Sequence, residues 1–394
     1  MEKNIFSEYL NKPSLFKNKD VLSVSFIPEK IPHRDNEIKQ IVNVLSPVLK
    51  GHATSNIFIY GKTGTGKTIC MKFVLDELKK VIQDDNKIKS IYINCKMKKV
   101  ADTEYRLLAY LLRSFGENVP DTGLPTDVLY RKFFKLLDNE KQNIIIVLDE
   151  IDALVKKIGD EFLYNLTRVD SELKKGKLTI VGISNDLSFT DNIDSRVKSS
   201  LGEEELIFPP YNALELRDIL LERSKEGFVE GCIDESVINK CSALAAQEHG
   251  DARRALDLLR VAGEIAERTN SKKITERHVD LAEEKIDLDR VTEIVKNQPR
   301  QSQAVLFSII KTNNEKIMTG DVFDNYREIC KNNGLKILTQ RRVSDLIAEL
   351  DMLGIVTTKV ISKGRYGRTR EISLAIENKV LDRVKKILKE NFGE

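Results

Sequence analysis

Disulfide chemistry has little to work with in this sequence. The five cysteines (Cys70, Cys95, Cys232, Cys241 and Cys330) are an odd set with no C-x-x-C pair. That excludes a disulfide framework and a zinc knuckle, and it leads us to expect reduced thiols in a cytosol. No run approaches the ~18 apolar residues of a membrane span. The start, MEKNIFSEYLNK, has no apolar signal core, so we expect a cytoplasmic protein with no membrane partner. Neither sign of charge dominates: 64 Lys plus Arg stand against 61 Asp plus Glu, a net charge of +3. Total charge therefore points to no acidic partner, and only local clustering can. Internal repeats and low-complexity segments are also absent. What is present is 394 residues, 41% hydrophobic and 32% charged. That is enough apolar mass for packed cores and, at about 100 to 200 residues per domain, length for two to four domains.

Short apolar runs rich in Ile and Val occur at Asn56–Tyr60, Ser90–Asn94, Ile144–Leu148 and Thr179–Ile183, with helical stretches between them. Runs of this kind predict strands buried on both faces, as in a parallel sheet covered by crossover helices. Residues 1–205 are thus expected to form an α/β domain. Phe208-Pro209-Pro210-Tyr211 breaks regular structure, and only helical patterns such as Leu214–Arg223 follow. This predicts an all-helical domain over 206–284. A polar helix (Lys285–Lys296) and Pro299 lead into the last part, 285–394. Helices are expected there at Gln303–Lys311, Thr319–Asn332 and Thr339–Leu353. Two alternating segments follow (Val356, Thr358, Val360; Ile372, Leu374, Ile376) with SKGRYGRTR between them. Three helices and a hairpin predict a winged helix-turn-helix.

Gly61-Lys62-Thr63-Gly64-Thr65-Gly66-Lys67-Thr68 matches G-x-x-x-x-G-K-[ST] between an expected strand and an expected helix. Its glycines let backbone N–H groups turn around a phosphate, and the following helix, which continues with Ile69, offers its positive end to the same anion. Lys67 is expected against the β and γ phosphates of ATP, with the Thr68 hydroxyl on Mg²⁺. The run Ile144–Leu148 ends in Asp149 and Glu150. Asp149 is expected to hold Mg²⁺, and Glu150 to orient or deprotonate an attacking water. Adjacent carboxylates after a strand are also common as solvated turn residues. Here they gain weight because a parallel sheet gathers its functional side chains at the carboxyl ends of its strands.

With these motifs the chain resembles the AAA+ ATPases and, within them, the archaeal family of origin-recognition and cell-division-control replication initiators. The resemblance covers nearly the whole chain. It implies that Asn185 (in GISND) positions the attacking water, and that Arg196 (in DSRVKSS) is an arginine finger for a neighbouring subunit's ATP. It further implies that Tyr211 and Arg223 open a helical lid against the nucleotide, with Glu215 between them. Within GDARRAL it implies that Arg253 faces the γ-phosphate. Ile31–Glu37, with Pro32, His33 and Arg34 as its candidate contacts, resembles the segment that packs around adenine, and Asp102–Phe115 resembles an amphipathic insertion found in initiators. Each feature has an ordinary alternative. An arginine at a helix start can be a surface ion pair, Asn185 can be a turn former, and the insertion can be a packing helix. Arg253 and Arg254 are adjacent and cannot share one helix face, so one of them is expected to be structural.

Lys359, Lys363, Arg365, Arg368 and Arg370 put five cations and no acidic residue between Val356 and Arg370. A wing tip with these residues, and with Tyr366 between Gly364 and Gly367, suits a phosphate backbone or a minor groove. Thr339, Gln340, Arg341 and Arg342 open the third helix and suit base edges and phosphates in a major groove. The alternative is a winged helix used for protein contacts. The reading as a whole is a slow, switch-like ATPase with ATP or ADP and Mg²⁺ as cofactors. It would bind double-stranded origin DNA beside paralogous initiator subunits, help load the replicative helicase and associate with the nucleoid. Two rivals are a nucleotide-gated transcription regulator and a motor or clamp-loading AAA+ ATPase.

Overall fold

A computed structural model describes residues 14–82, 87–97, 100–120, 122–169, 172–191, 193–201, 204–312, 317–362, 368–376 and 378–393. The chain divides into two units, with the boundary between Val279 and Asp280. The base and the lid share the first unit, and the winged helix forms the second.

The first unit is built on β1 (Ile57–Tyr60), β2 (Ile88–Asn94), β3 (Asn143–Asp149), β4 (Lys177–Ser184) and β5 (Glu204–Ile207), in the order β2-β3-β4-β1-β5. All neighbouring strands are parallel. The four expected strands are present, and β5 is an addition at one edge. Every residue of β3 is buried, because its alternate side chains enter different cores. Ile145 and Val147 join Ile57, Ile59, Val181 and Ile183 under α1 (Asp35–Leu45) and α2 (Lys67–Ile82). Ile144, Ile146 and Leu148 pack on the other face. They lie under α3 (Glu104–Ser114), α4 (Thr126–Leu137), α5 (Ile151–Ile158), α6 (Glu161–Val169) and α7 (Ser195–Leu201). The expected insertion is α3, and its Leu107, Leu108, Leu111 and Leu112 are fully buried.

The lid comprises α8 (Ala213–Gly227), α9 (Glu235–Gln247), α10 (Ala252–Arg268) and the start of α11 (Glu276–Asn297). Asn212 and Glu215 close a capping box at the head of α8, so Glu215 serves that helix's own backbone. The first described residues are strapped to the lid. Phe16 stacks on Phe228 at 4.7 Å, and the Leu15 N–H donates to Glu267 at 2.8 Å.

The second unit contains α12 (Arg300–Lys311), β6 (Ile317–Met318), α13 (Thr319–Asn332), α14 (Gln340–Met352), β7 (Val356–Ser362), β8 (Arg368–Leu374) and α15 (Asn378–Phe392). The expected helices and hairpin are present. Two elements are added: β6, which makes the sheet three-stranded in the order β6-β8-β7, and α15. Val380, Val384, Leu388 and Phe392 of α15 complete the core, with Phe392 stacked on Phe307 at 5.7 Å. Among the described residues no helix is long and apolar enough to cross a membrane.

Candidate functional site

The loop between β1 and α2 is shaped by what its glycines allow. Gly64 has φ +74°, and a Cβ there would lie 1.8 Å from Oδ1 of Asp251 in the lid. Gly66 has φ +96°, with the Tyr211 hydroxyl 2.8 Å from a Cβ position. Backbone in this region is natural to glycine and strained for other residues, and both positions are closed against the lid. Lys67 is 4% exposed. Its ammonium donates to the carbonyls of Gly61 and Lys62, each at 2.7 Å. Burial pushes its pKa down to about 8, against the opposing pull of Asp149.

The next residue ties the loop to β3. The Thr68 hydroxyl donates to Oδ2 of Asp149 at 2.8 Å, and the Tyr92 hydroxyl on β2 bonds the same oxygen. The Glu150 N–H occupies Oδ1 at 2.9 Å. Glu150 lies in the left-handed region, at φ +56°, as the N-cap of α5. That conformation costs of order 1–3 kcal/mol in a non-glycine residue and occurs often at functional positions. It carries the carboxylate to 3.2 Å from the Lys96 ammonium.

A cavity of about 370 Å³ lies against this loop, within the range of small-ligand sites. Gly64, Thr65, Gly66, Lys67, Thr68 and Ile69 form one wall. Pro32, Asn185, Tyr211, Arg223 and Arg253 line the rest, together with residues 23–31. Asn185 follows the last residue of β4. Of the arginine pair, Arg253 faces the cavity, and Arg254 donates to Glu248 at 3.0 Å with 9% of its side chain exposed. The fold thus gives the two neighbours the separate roles their spacing demands. Gly61, Lys62, Thr63, Asp149 and Glu150 do not line the cavity; Asp149 is linked to it through the Thr68 hydroxyl.

Two residues of the expected adenine segment lie elsewhere. His33 sits at φ +59° with Nε2 3.0 Å from Asp218 of α8. Arg34 is 2% exposed. Its guanidinium donates to the carbonyls of Thr65 at 2.9 Å and Pro209 at 2.5 Å and lies 3.8 Å over the Tyr211 ring. It is a buried bracket joining the phosphate loop to the entry of the lid. Arg196 lies outside the cavity too. Its guanidinium makes two bonds to Asp194, at 3.0 and 2.9 Å, and stacks over Tyr164 at 4.7 Å. These bonds hold the Asp194 carboxyl down at about 2.

Two parts of the site were not found in the sequence. Residues 23–30, before the expected adenine segment, form an irregular stretch that becomes a wall only through tertiary closure. Arg223 holds that stretch by donating to the Phe26 carbonyl at 3.5 Å and stacking on the Phe26 ring at 4.7 Å, and it donates to the Val21 carbonyl just before it at 3.3 Å. Tyr92 is the other, and its role depends on sheet register.

In the second unit, Thr339 caps α14 by accepting from the Arg342 N–H at 3.4 Å, and Gln340, Arg341 and Arg342 are exposed on its first turn. Arg342 is 3.4 Å from Glu349. Arg370 donates to the Ser344 carbonyl at 2.8 Å, which braces β8 against α14. Arg368 is the first residue of β8. Lys363, Arg365 and Tyr366 lie outside the described residues.

The donors present fit a magnesium nucleotide. A buried lysine, a hydroxyl bonded to a buried carboxylate and an arginine from the lid converge on one cavity at the head of α2, a donor set suited to an anion and its cation.

Comparison with known proteins agrees with this layout. Residues 51–188 match the AAA domain, 217–284 the Cdc6 AAA+ ATPase-type lid domain, and 293–384 the CDC6 C-terminal winged helix domain. The chain is 52% identical over 381 residues to an ORC1-type DNA replication protein of Thermococcus kodakarensis, covering 95% of this chain and 91% of the relative. It is 51% identical over 394 residues to the ORC1-type DNA replication protein 1 of Methanosarcina mazei, covering 98% and 94%. Among solved structures, the Aeropyrum pernix ORC1 protein in complex with DNA superposes with a TM-score of 0.85 at 43% identity, covering 95% of this chain and 97% of that one.

Proposed function

Because this chain belongs to the family of ORC1-type DNA replication proteins, we propose that it is an ATP-switched initiator. In this reading it binds double-stranded origin DNA through its winged helix, works beside paralogous subunits and helps recruit the replicative helicase. It would act in the cytoplasm, on the nucleoid. The observation that carries the proposal is the convergence of Lys67, Thr68, Asn185 and Arg253 on one cavity closed by the lid residues Tyr211 and Arg223.

When bound, magnesium ATP would supply a terminal phosphoanhydride that water can cleave to give ADP and inorganic phosphate. The Lys67 ammonium, which donates to the Gly61 and Lys62 carbonyls, would offer phosphate oxygens a stronger, charge-assisted bond. Thr68 and Asp149 would hold the magnesium. Glu150 accepts the proton of the attacking water at its carboxylate, and Asn185 orients that water. Arg253 neutralises charge from the lid side, so the lid's angle to the base can report which nucleotide is held. Arg196 lies outside its own chain's cavity and is exposed, which suits a finger offered to a neighbour's site. An isolated chain therefore lacks one catalytic group, and we propose slow turnover for it.

On the DNA side, the support is the exposed Gln340, Arg341 and Arg342 on the first turn of α14, the cationic run at 359–370, and a close structural neighbour described as an ORC1 protein in complex with DNA. Footprinting of chromosomal fragments with ATP and with ADP tests the proposal. The wild type should protect discrete origin sequences. Arg341→Ala and Arg365→Ala should lose that protection while retaining nucleotide, and Lys67→Ala should lose its nucleotide dependence. Protection confined to promoters, or unchanged in both arginine variants, would contradict it.

A further inference from the structure

We infer that Tyr92 is a positioning residue for the magnesium site, acting through Asp149. The inference rests on the proposed reading of Thr68 and Asp149 as the groups that hold the cation. In the pairing of β2 with β3, Asn94 is level with Asp149 and Tyr92 is level with Val147. Side chains on a strand alternate between faces, so Tyr92 stands on the face of the sheet that carries Val147, Asp149 and the packed α2 helix. A tyrosine two residues back along a neighbouring strand spans that diagonal, and its hydroxyl reaches Oδ2 of Asp149.

The surroundings hold it there. Lys72, one turn beyond Thr68 on α2, sits with its ammonium 4.9 Å over the Tyr92 ring and itself lines the cavity. The carboxylate, 3% exposed, is then fixed by three donors. Thr68 and Tyr92 share Oδ2, and the Glu150 N–H takes Oδ1. A carboxylate gripped at both oxygens cannot rotate. A Thr68 hydroxyl that gives its proton to that carboxylate keeps its lone pairs for a cation. Removing the Tyr92 hydroxyl takes away one of the two donors on Oδ2, the one that does not itself face the cation, in a buried place where water cannot readily replace the lost bond. Outer partners of a metal site typically contribute 10- to 100-fold to metal affinity.

The test is the affinity of the full chain for a fluorescent ATP analogue, measured across a magnesium titration and again in EDTA, for the wild type, Tyr92→Phe and Thr68→Ala. Phenylalanine keeps the ring under Lys72, so the strand and its packing are retained. Tyr92→Phe should raise the half-saturating magnesium about tenfold, with the affinity in EDTA unchanged. If Thr68→Ala shifts the magnesium midpoint and Tyr92→Phe does not, the inference is overturned and the magnesium reading stands. If Tyr92→Phe lowers affinity equally with and without magnesium, its role is packing and the inference is overturned. A midpoint unmoved by Thr68→Ala would overturn the magnesium reading itself, and the role of Tyr92 with it.

Discussion

Lys67 shows how one side chain can link burial to a measurable property. An ordinary lysine titrates near 10.4, and burial lowers this one to about 8. Asp149, Asp152 and Asp251 oppose the shift, while Arg253 adds to it. Phosphates placed against the ammonium favour its charged form and push the value back up. Nucleotide binding therefore takes up a proton once the pH exceeds about 8, and affinity falls with rising pH. Below that window Lys67 is charged in both states and contributes no slope. ATP affinity of the wild type should drop roughly tenfold between pH 7.5 and 9. Lys67→Arg, which does not titrate in that range, should be flat. Equal slopes for the two proteins in an equilibrium titration would contradict this origin of the shift. The motif made Lys67 legible in the sequence. Arg34 was legible only as part of a segment, because its partners at Thr65 and Pro209 are brought to it by the fold.

At the scale of elements, legibility followed burial. A strand such as β3, apolar throughout because both its faces are covered, announces itself. By contrast β5, Glu-Glu-Leu-Ile, has one buried residue and no periodicity to betray it, since an edge strand is held by backbone pairing to β1. The two-residue β6 is too short to leave a pattern. The signal for α15 was present in the spacing of Val380, Val384, Ile387 and Leu388, an apolar stripe at helical period, although a winged helix does not require a further helix. Burying Val380, Val384, Leu388 and Phe392 contributes about 1.5–3 kcal/mol each, a sum comparable to the whole stability of a domain. A chain ending at residue 377 should lose slow hydrogen exchange throughout α12, α13 and α14 while β3 and β4 keep theirs. Retained protection in α13 would show that the core closes without α15.

For the whole molecule, the argument turns on what one chain contains and what it leaves to a neighbour. The cavity brings together loop, strand end and lid arginine, whereas Arg196 is bonded to Asp194 away from it. Arg196→Ala should leave ATP binding intact and lower hydrolysis at least tenfold in the DNA-bound assembly, with little change in the dilute chain. An unchanged rate in the assembly would remove the finger from the scheme. The cationic segment 363–367, expected from the sequence as a wing tip, lies outside the described residues. The most direct test of the central claim is calorimetric titration of the full chain with magnesium ATP at pH 7, beside Lys67→Ala and Arg253→Ala. The account predicts one site per chain, abolished by Lys67→Ala and weakened by Arg253→Ala. No uptake by folded wild-type protein, or uptake indifferent to Lys67→Ala, would contradict it.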